Sequence, residues 1–352
     1  MKNVFSLFKI KNVQTGYLYF YIHFVMEVLC FYVLSKLVGN SIILWFIPFI
    51  YDTIAFLPQA LIGYVKDKYP KLKIDLIGLI LLIIGFLLFN LNFNVYISII
   101  ILCLGNALIH VAGAFITLNT SNGKLSPPAI YVSGGVFGVI TGKLLAKFNV
   151  PFYFLIFLAL TTIPYMLLAS KYLKKDNNCS KFNYQNQNLN PMLVIILTVF
   201  IVTVRGYMGY GIPTTWNKTI IQTILLYVAM GVGKFIGGIL SDKIGIKKVL
   251  LISIIGSLPF LLFGDNNMYI SLIGIALFSM TMSITLAILV SCLKEKPSFA
   301  FGLTTIGLFL GTIPVFFIKF TSTLVNCVII IILDIICLII SMLVIRKDKK
   351  YE

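Results

Sequence analysis

Charge is scarce in this sequence. Of its 352 residues only 11% are Asp, Glu, Lys or Arg, while 59% are hydrophobic, and the mean hydropathy is +1.02. A water-soluble globule needs a far more charged surface, so that class is excluded. Histidine, tryptophan and arginine each occur only twice. Of the six cysteines, Cys30, Cys103, Cys292, Cys327 and Cys337 fall inside apolar runs and Cys179 in a basic loop. Their spacing fits neither a metal site nor a disulfide framework, so reduced cysteines are expected, with no metal and no cofactor. A GxxxxGK[ST] phosphate loop, a His-Glu-x-x-His pair and a Cys-x-x-Cys pair are all missing, which argues against an ATP-driven pump and against an enzyme. The first apolar run lacks a small-residue cleavage site, so no removed signal peptide is expected.

Long hydrophobic runs fill the chain instead. Runs of about 18 to 25 residues are long enough to cross the roughly 30 Å hydrocarbon core. They predict twelve spans: Tyr17–Leu37, Ile42–Val65, Ile74–Leu91, Val95–Leu118, Pro128–Ala146 and Pro151–Leu168, then Met192–Met208, Ile220–Leu240, Val249–Phe263, Tyr269–Leu293, Phe299–Phe317 and Leu324–Ile345. The net charge of +17 sits in short loops, which reads as orientation signals and contacts to anionic lipid rather than nucleic-acid binding.

Alternate loops carry the lysines. One side receives Lys2, Lys9 and Lys11, then Lys66 to Lys73, Lys124, Lys171 to Lys181, Lys243 to Lys248, Lys294 and Lys296, and the tail from Arg346. The other side holds segments such as Gly39-Asn40-Ser41 and Gly264-Asp265-Asn266-Asn267. The positive-inside rule puts both termini in the cytoplasm, as an even number of spans requires. Between the sixes, 171–191 is polar and without apolar period, and is expected to be a flexible cytoplasmic linker joining units 1–170 and 192–352.

A motif recurs at the same place in each half. Gly238, Leu240, Asp242, Lys243, Gly245, Lys247 and Lys248 close the eighth span; Gly63, Asp67 and Lys68 close the second, with Val65 and Pro70 where the later copy has Leu240 and Gly245. The Asp of such a turn can cap a neighbouring helix N-terminus or pair with a base. The pair resembles the loop signature of the major facilitator superfamily, Gly-x-Leu-x-Asp-Arg-x-Gly-Arg-Lys, and the resemblance spans essentially the whole chain. It implies an all-α membrane protein of two six-helix bundles related by a pseudo-two-fold axis. In that fold, rocking of the bundles about a central cavity gives alternating access.

Glycines recur in the fifth span (Gly134, Gly135, Gly138, Gly142) and the eleventh (Gly302, Gly307, Gly311). Such stripes suit close packing and sliding between bundles. The fifth-span stripe is similar to a motif of superfamily antiporters, without its Gly-Pro step, and inclines the reading towards export.

Ionisable groups inside hydrocarbon cost several kcal/mol unless paired, protonated or hydrated, so each is a functional candidate. Tyr19, His23 and Glu27 share one face of the first span; Asn106 and His110 share one face of the fourth. The resemblance implies that these two spans line the cavity, so Glu27, His23 and His110 are expected to exchange a coupling proton. A buried polar network that only locks the two helices is the alternative. Asp52, with Gln59 two turns away, Arg205 and Lys234 are further cavity candidates; Asp334 in the twelfth span is expected to be structural.

The sequence thus predicts a monomeric secondary transporter in a bacterial plasma membrane, with a small organic solute and protons as its partners. Export in exchange for protons is the first reading and proton-linked uptake of a sugar or organic anion the second. A transporter-like sensor that binds without moving its ligand is the reading of another class.

Overall fold

The computed structural model describes residues 13–38, 46–173, 180–317 and 323–345. Lys2, Lys9, Lys11, Gly39-Asn40-Ser41, Lys174, Cys179 and the tail from Arg346 lie outside the described residues.

Among the described residues fifteen helical segments follow one another: α1 (Gln14–Val38), α2 (Phe46–Phe56), α3 (Pro58–Lys68), α4 (Ile74–Asn90), α5 (Val95–Thr120), α6 (Ser126–Lys147), α7 (Phe152–Leu160), α8 (Thr162–Ser170), α9 (Pro191–Gly211), α10 (Ile220–Ile244), α11 (Ile246–Phe263), α12 (Met268–Ser279), α13 (Met282–Cys292), α14 (Pro297–Phe317) and α15 (Thr323–Val344). Three spans are each made of two segments. The second breaks ahead of Pro58, which cannot donate a helical hydrogen bond; the sixth breaks at Thr161 and the tenth at Met280-Thr281. Counting those pairs once, eleven spans among the described residues are long and apolar enough to cross a bilayer, and α4, with 17 residues, is a shorter twelfth.

Polar side chains start several of these helices. Asn94 caps α5, Asn190 caps α9 and Asn267 caps α12 through their side-chain oxygens, and Thr219 with Gln222 forms a reciprocal capping box on α10. Gly245 ends α10 with φ +88°, a conformation costly for any residue with a Cβ, which is why a glycine stands in this copy of the motif.

The pairing of helices repeats between halves. In the first, α1 packs on α6 and α4 on α5; in the second, α9 packs on α14 and α11 on α12. The halves meet chiefly at two crossings, α6 with α10 and α3 with α14, and α14 also touches α2 and α5. The glycine stripes are seated differently from expectation. A Cβ on Gly134, Gly138 or Gly142 would come within 2.3, 2.3 and 2.5 Å of the Phe20, Phe24 and Val28 carbonyl oxygens, all on α1. The fifth-span stripe therefore serves the α1–α6 contact inside the first bundle, not sliding between bundles. Gly311 does the same for α14 against the Thr203 carbonyl on α9, and only Gly302 faces the other half, against Ala60.

The described part of the connecting segment, 180–190, is docked rather than free. Ser180 N–H donates to the Lys294 carbonyl, Tyr184 N–H to Ser291 Oγ, and Asn186 N–H to the Val344 carbonyl. Phe182 is fully buried, and the Tyr184 hydroxyl donates to the Gly123 carbonyl of the first half. Burial and the nearby Asp242 carboxylate push that phenol up to about 12, so it keeps its proton and this bond. The polar composition read as flexibility is a run of donors and acceptors meeting the ends of α13 and α15.

Candidate functional site

The spacing of His23 and Glu27, one turn apart on α1, aims both at α5, where Asn106 and His110 are likewise one turn apart. The four side chains meet in the core of the first bundle. Glu27 Oε1 lies 3.7 Å from His23 Nε2 and 3.6 Å from His110 Nε2, and the imidazole rings pack edge-on with centroids 4.5 Å apart. Exposure is 7% for Glu27, 5% for His23 and 7% for His110. A Cβ at position 135 would sit 2.3 Å from His23 Nε2, so Gly135 of α6 leaves the imidazole its room.

The outer nitrogens fix the tautomers. His23 Nδ1 is 3.0 Å from the Tyr131 carbonyl; His110 Nδ1 is 2.8 Å from Asn106 Oδ1 and 3.2 Å from the Asn106 carbonyl. Carbonyl oxygens only accept, so each Nδ1 carries a hydrogen and each neutral Nε2 presents a lone pair. Two lone pairs therefore face one carboxylate oxygen. Asn106 Nδ2 gives that oxygen a long bond at 3.3 Å and donates more closely, at 3.0 Å, to Tyr51 Oη; Glu27 Oε2 has no hydrogen-bond partner. Acceptors converging in a low-dielectric interior repel unless a cation stands among them. A proton or a metal cation among them would relieve that repulsion.

Two members were not foreseen. Tyr51 reaches Asn106 from α2, and Tyr131 of α6 donates to the His110 carbonyl while lending its own carbonyl to His23. The reading named Asp52 instead, one residue along. The helix turns Tyr51 into the cluster and leaves Asp52 half-buried and outside this set of bonds. A buried Asp draws the eye in a sequence, but only the phase of the helix decides which neighbour faces inward.

The other candidates are dispersed. Gln59 is fully buried, donates to the Ala55 carbonyl of its own span and lies at the α3–α14 crossing, so it belongs to the contact between halves rather than to the cluster. Arg205 was expected to offer its fork to a ligand. It donates from Nη1 to Asp334 Oδ1 at 2.9 Å and from Nη2 to the Phe278 carbonyl at 2.7 Å, with its guanidinium 4.0 Å from the Phe278 ring centroid. The fork is consumed inside the second bundle, and Asp334 is buried with it. Lys234 of α10 is different: it lines a small cavity between the halves, of about 10 Å³, with Pro128, Ser283, Phe301 and Thr304. Such a space is at the lower limit for one water. Phe301 in turn lies against His110 and Tyr131, with ring centroids 6.4 and 6.2 Å apart, and Lys234 is within electrostatic reach of Glu27 and both imidazoles.

Both copies of the loop motif do the same work on opposite halves. Asp67 accepts from Ser298 N–H at 3.2 Å and Phe299 N–H at 2.9 Å, at the start of α14. Asp242 accepts from Leu125 N–H at 2.8 Å and Ser126 N–H at 2.9 Å, and from the Ser126 hydroxyl, at the start of α6. Each carboxylate thus satisfies orphan donors at a helix N-terminus of the other half, where the helix dipole favours negative charge. Lys68, Lys243 and Lys248 are exposed around these turns, and Lys247 is half-buried. Lys66, counted above as loop charge, is buried; its ammonium donates to the Pro70 and Leu72 carbonyls at 2.7 Å each and pins the turn from below.

No protein-family model and no curated protein matches the sequence. Solved structures do match over nearly its whole length. The major facilitator superfamily transporter FucP in its outward conformation aligns at a TM-score of 0.67 and 12% identity, over 96% of this chain and 99% of that one. A point variant of the Escherichia coli fucose:proton symporter FucP aligns at 0.58 and 11%, over 91% and 97%. The human organic anion transporter MFSD10 (TETRAN) aligns at 0.65 and 11%, over 95% and 100%.

Proposed function

We propose that this chain, which has the fold of the major facilitator superfamily, is a secondary transporter that moves a small organic solute across a membrane by alternating access, coupled to protons. The observation that carries the coupling is the convergence of the two imidazole Nε2 atoms on the Glu27 carboxylate, away from water. One proton placed between Glu27 and either imidazole turns a repulsive contact into a charge-assisted hydrogen bond. His23, Glu27 and His110 are the coupling residues in this reading, Asn106, Tyr51 and Tyr131 hold them in register, and Lys234 is the second half's charged group within electrostatic reach of them.

The reading extends to units 1–170 and 192–352 as the rocking bodies, both termini in the cytoplasm of a bacterial plasma membrane, and a monomer in contact with anionic lipid. Asp67 and Asp242, with their exposed lysines, latch the bundles together at the motif end. Export in exchange for protons is its first form. Uptake with protons is the second, favoured by the likeness to a fucose:proton symporter.

The test is transport by purified protein in proteoliposomes loaded with a pH-reporting dye, against a panel of drugs, sugars and organic acids. At least one compound is expected to move protons with the wild type. Glu27→Gln is expected to abolish uphill transport and proton movement while keeping exchange of labelled for unlabelled solute. Solute binding without exchange by the wild type would replace the proposal with a sensor.

A further inference from the structure

We infer that the His23–Glu27–His110 centre is also a binding site for a divalent transition-metal ion of the Zn²⁺ class. The residue types, their separation, their supports and their burial all point the same way. Two imidazoles and a carboxylate are a ligand set that suits Zn²⁺ with a fourth position left open. Their ligating atoms lie within 4.8 Å of one another. Tetrahedral ligands at bonds of about 2.0–2.1 Å stand roughly 3.3–3.5 Å apart. The two His–Glu separations, 3.7 and 3.6 Å, exceed that by only a few tenths of an ångström, so small side-chain movements would close the site on an ion.

The supports are those that metal-bound histidines use. Each Nδ1–H donates to a carbonyl oxygen, Tyr131 for His23 and Asn106 for His110, which fixes the ring and leaves Nε2 free to coordinate. Asn106 and Tyr51 hold the carboxylate side of the cluster, and Glu27 Oε2 has no partner of its own. Asp52 stands within electrostatic reach of Glu27 from the same half, and Lys234 reaches it from the other half. Sequence spacing hides the set: His23 and Glu27 are one turn apart, but the third ligand comes from position 110 on another helix.

This site shares residues with the transport reading but not its test, since binding is measured without any solute moving. Full-length protein, purified in detergent through a tag free of histidine, is titrated with Zn²⁺ against a fluorescent chelator. The wild type is expected to bind one equivalent and to melt at a higher temperature with Zn²⁺ present. His23→Gln and His110→Gln are each expected to weaken binding at least about tenfold. X-ray absorption at the zinc edge reads the wild type alone and is independent of how the variants fold; it is expected to show two imidazoles and oxygen. Failure of folded wild type to bind, binding that survives both substitutions, or a sulfur-dominated shell from Cys30 or Cys103 would overturn the inference. Zn²⁺ binding with no transport would leave it standing and sink the transport reading instead.

Discussion

Gly302→Ala is expected to open the motif end of the molecule without unfolding either bundle. The ideal Cβ at position 302 would lie 2.3 Å from Ala60 Cα and 2.4 Å from Ala60 N, backbone atoms of α3 that cannot rotate away. Overpacking of this kind costs roughly 1–3 kcal/mol when a core must absorb it. In the proposed alternating-access cycle the two bodies separate at this crossing, so the cost falls on the conformer closed at this end. A coupling of about 1–3 kcal/mol corresponds to a roughly 5- to 150-fold shift in a conformational equilibrium. Spin labels on Lys68→Cys and Glu295→Cys, in a cysteine-free background, report the separation of α3 from the loop before α14. The distance distribution is expected to move to longer values in Gly302→Ala. Two controls bracket the result. Gly211→Ala, with nothing within 4 Å of its new Cβ, is expected to change nothing. Gly307→Ala presses on Val202 and the Val199 carbonyl within the second bundle, and is expected to lower the melting temperature without moving the labels. An unchanged distribution in folded Gly302→Ala, or an equal shift in Gly307→Ala, would refute the reasoning.

Asp242→Ala releases three donors at the start of α6. At about 1.5–3 kcal/mol for a hydrogen bond to a charged group, the motif end is expected to open at least as far as in Gly302→Ala, with Asp242→Asn intermediate by the same label measurement. Arg205→Met leaves the Asp334 carboxylate unpaired and is expected to cost about 3–5 kcal/mol, read as a large fall in melting temperature; adding Asp334→Leu is expected to recover most of it. Full stability in the single variant would remove the buried pair from the account of the second bundle.

The repeated motif made the fold legible because two copies at one register in a hydropathy pattern imply two similar bodies, and the helix pairs found in each half repeat accordingly. Glu27, His23, Asn106 and His110 were legible for a related reason: acids and histidines are so rare in these spans that periodicity alone brings the pairs to one face. What escaped was contact across helices. Tyr51 and Tyr131 are ordinary aromatics in a chain with many, and nothing local marks them as partners of Asn106 and His23. Arg205 read as a cavity residue and Asp334 as a structural one because they are far apart in the chain, although they form one ion pair. The segment 180–190 looked loose because polar residues without periodicity are what a linker shares with a docked strap; only the positions of Ser291, Lys294 and Val344 distinguish them.

The two latches are symmetric and the chemistry is not, and Lys234 is where the asymmetry becomes mechanical. The second bundle's arginine and aspartate are ion-paired within that bundle, so moving it as a body leaves the pair together. The first bundle's carboxylate faces two imidazoles, and Lys234 of the other half, which lines the small cavity beside Phe301, is within its electrostatic reach. In the proposed cycle, a charged Glu27 attracts Lys234 and draws the bundles together, and a protonated Glu27 loses that attraction so that only the latches oppose opening. Coupling between proton and conformation then requires both charges. Lys234→Met is therefore expected to leave folding and solute exchange in place while the spin-label distances lose their dependence on whether Glu27 or Gln occupies position 27. If Glu27→Gln shifts those distances as much in the Lys234→Met background as in the wild type, the proton is read by some other route and the electrostatic link between the halves is wrong.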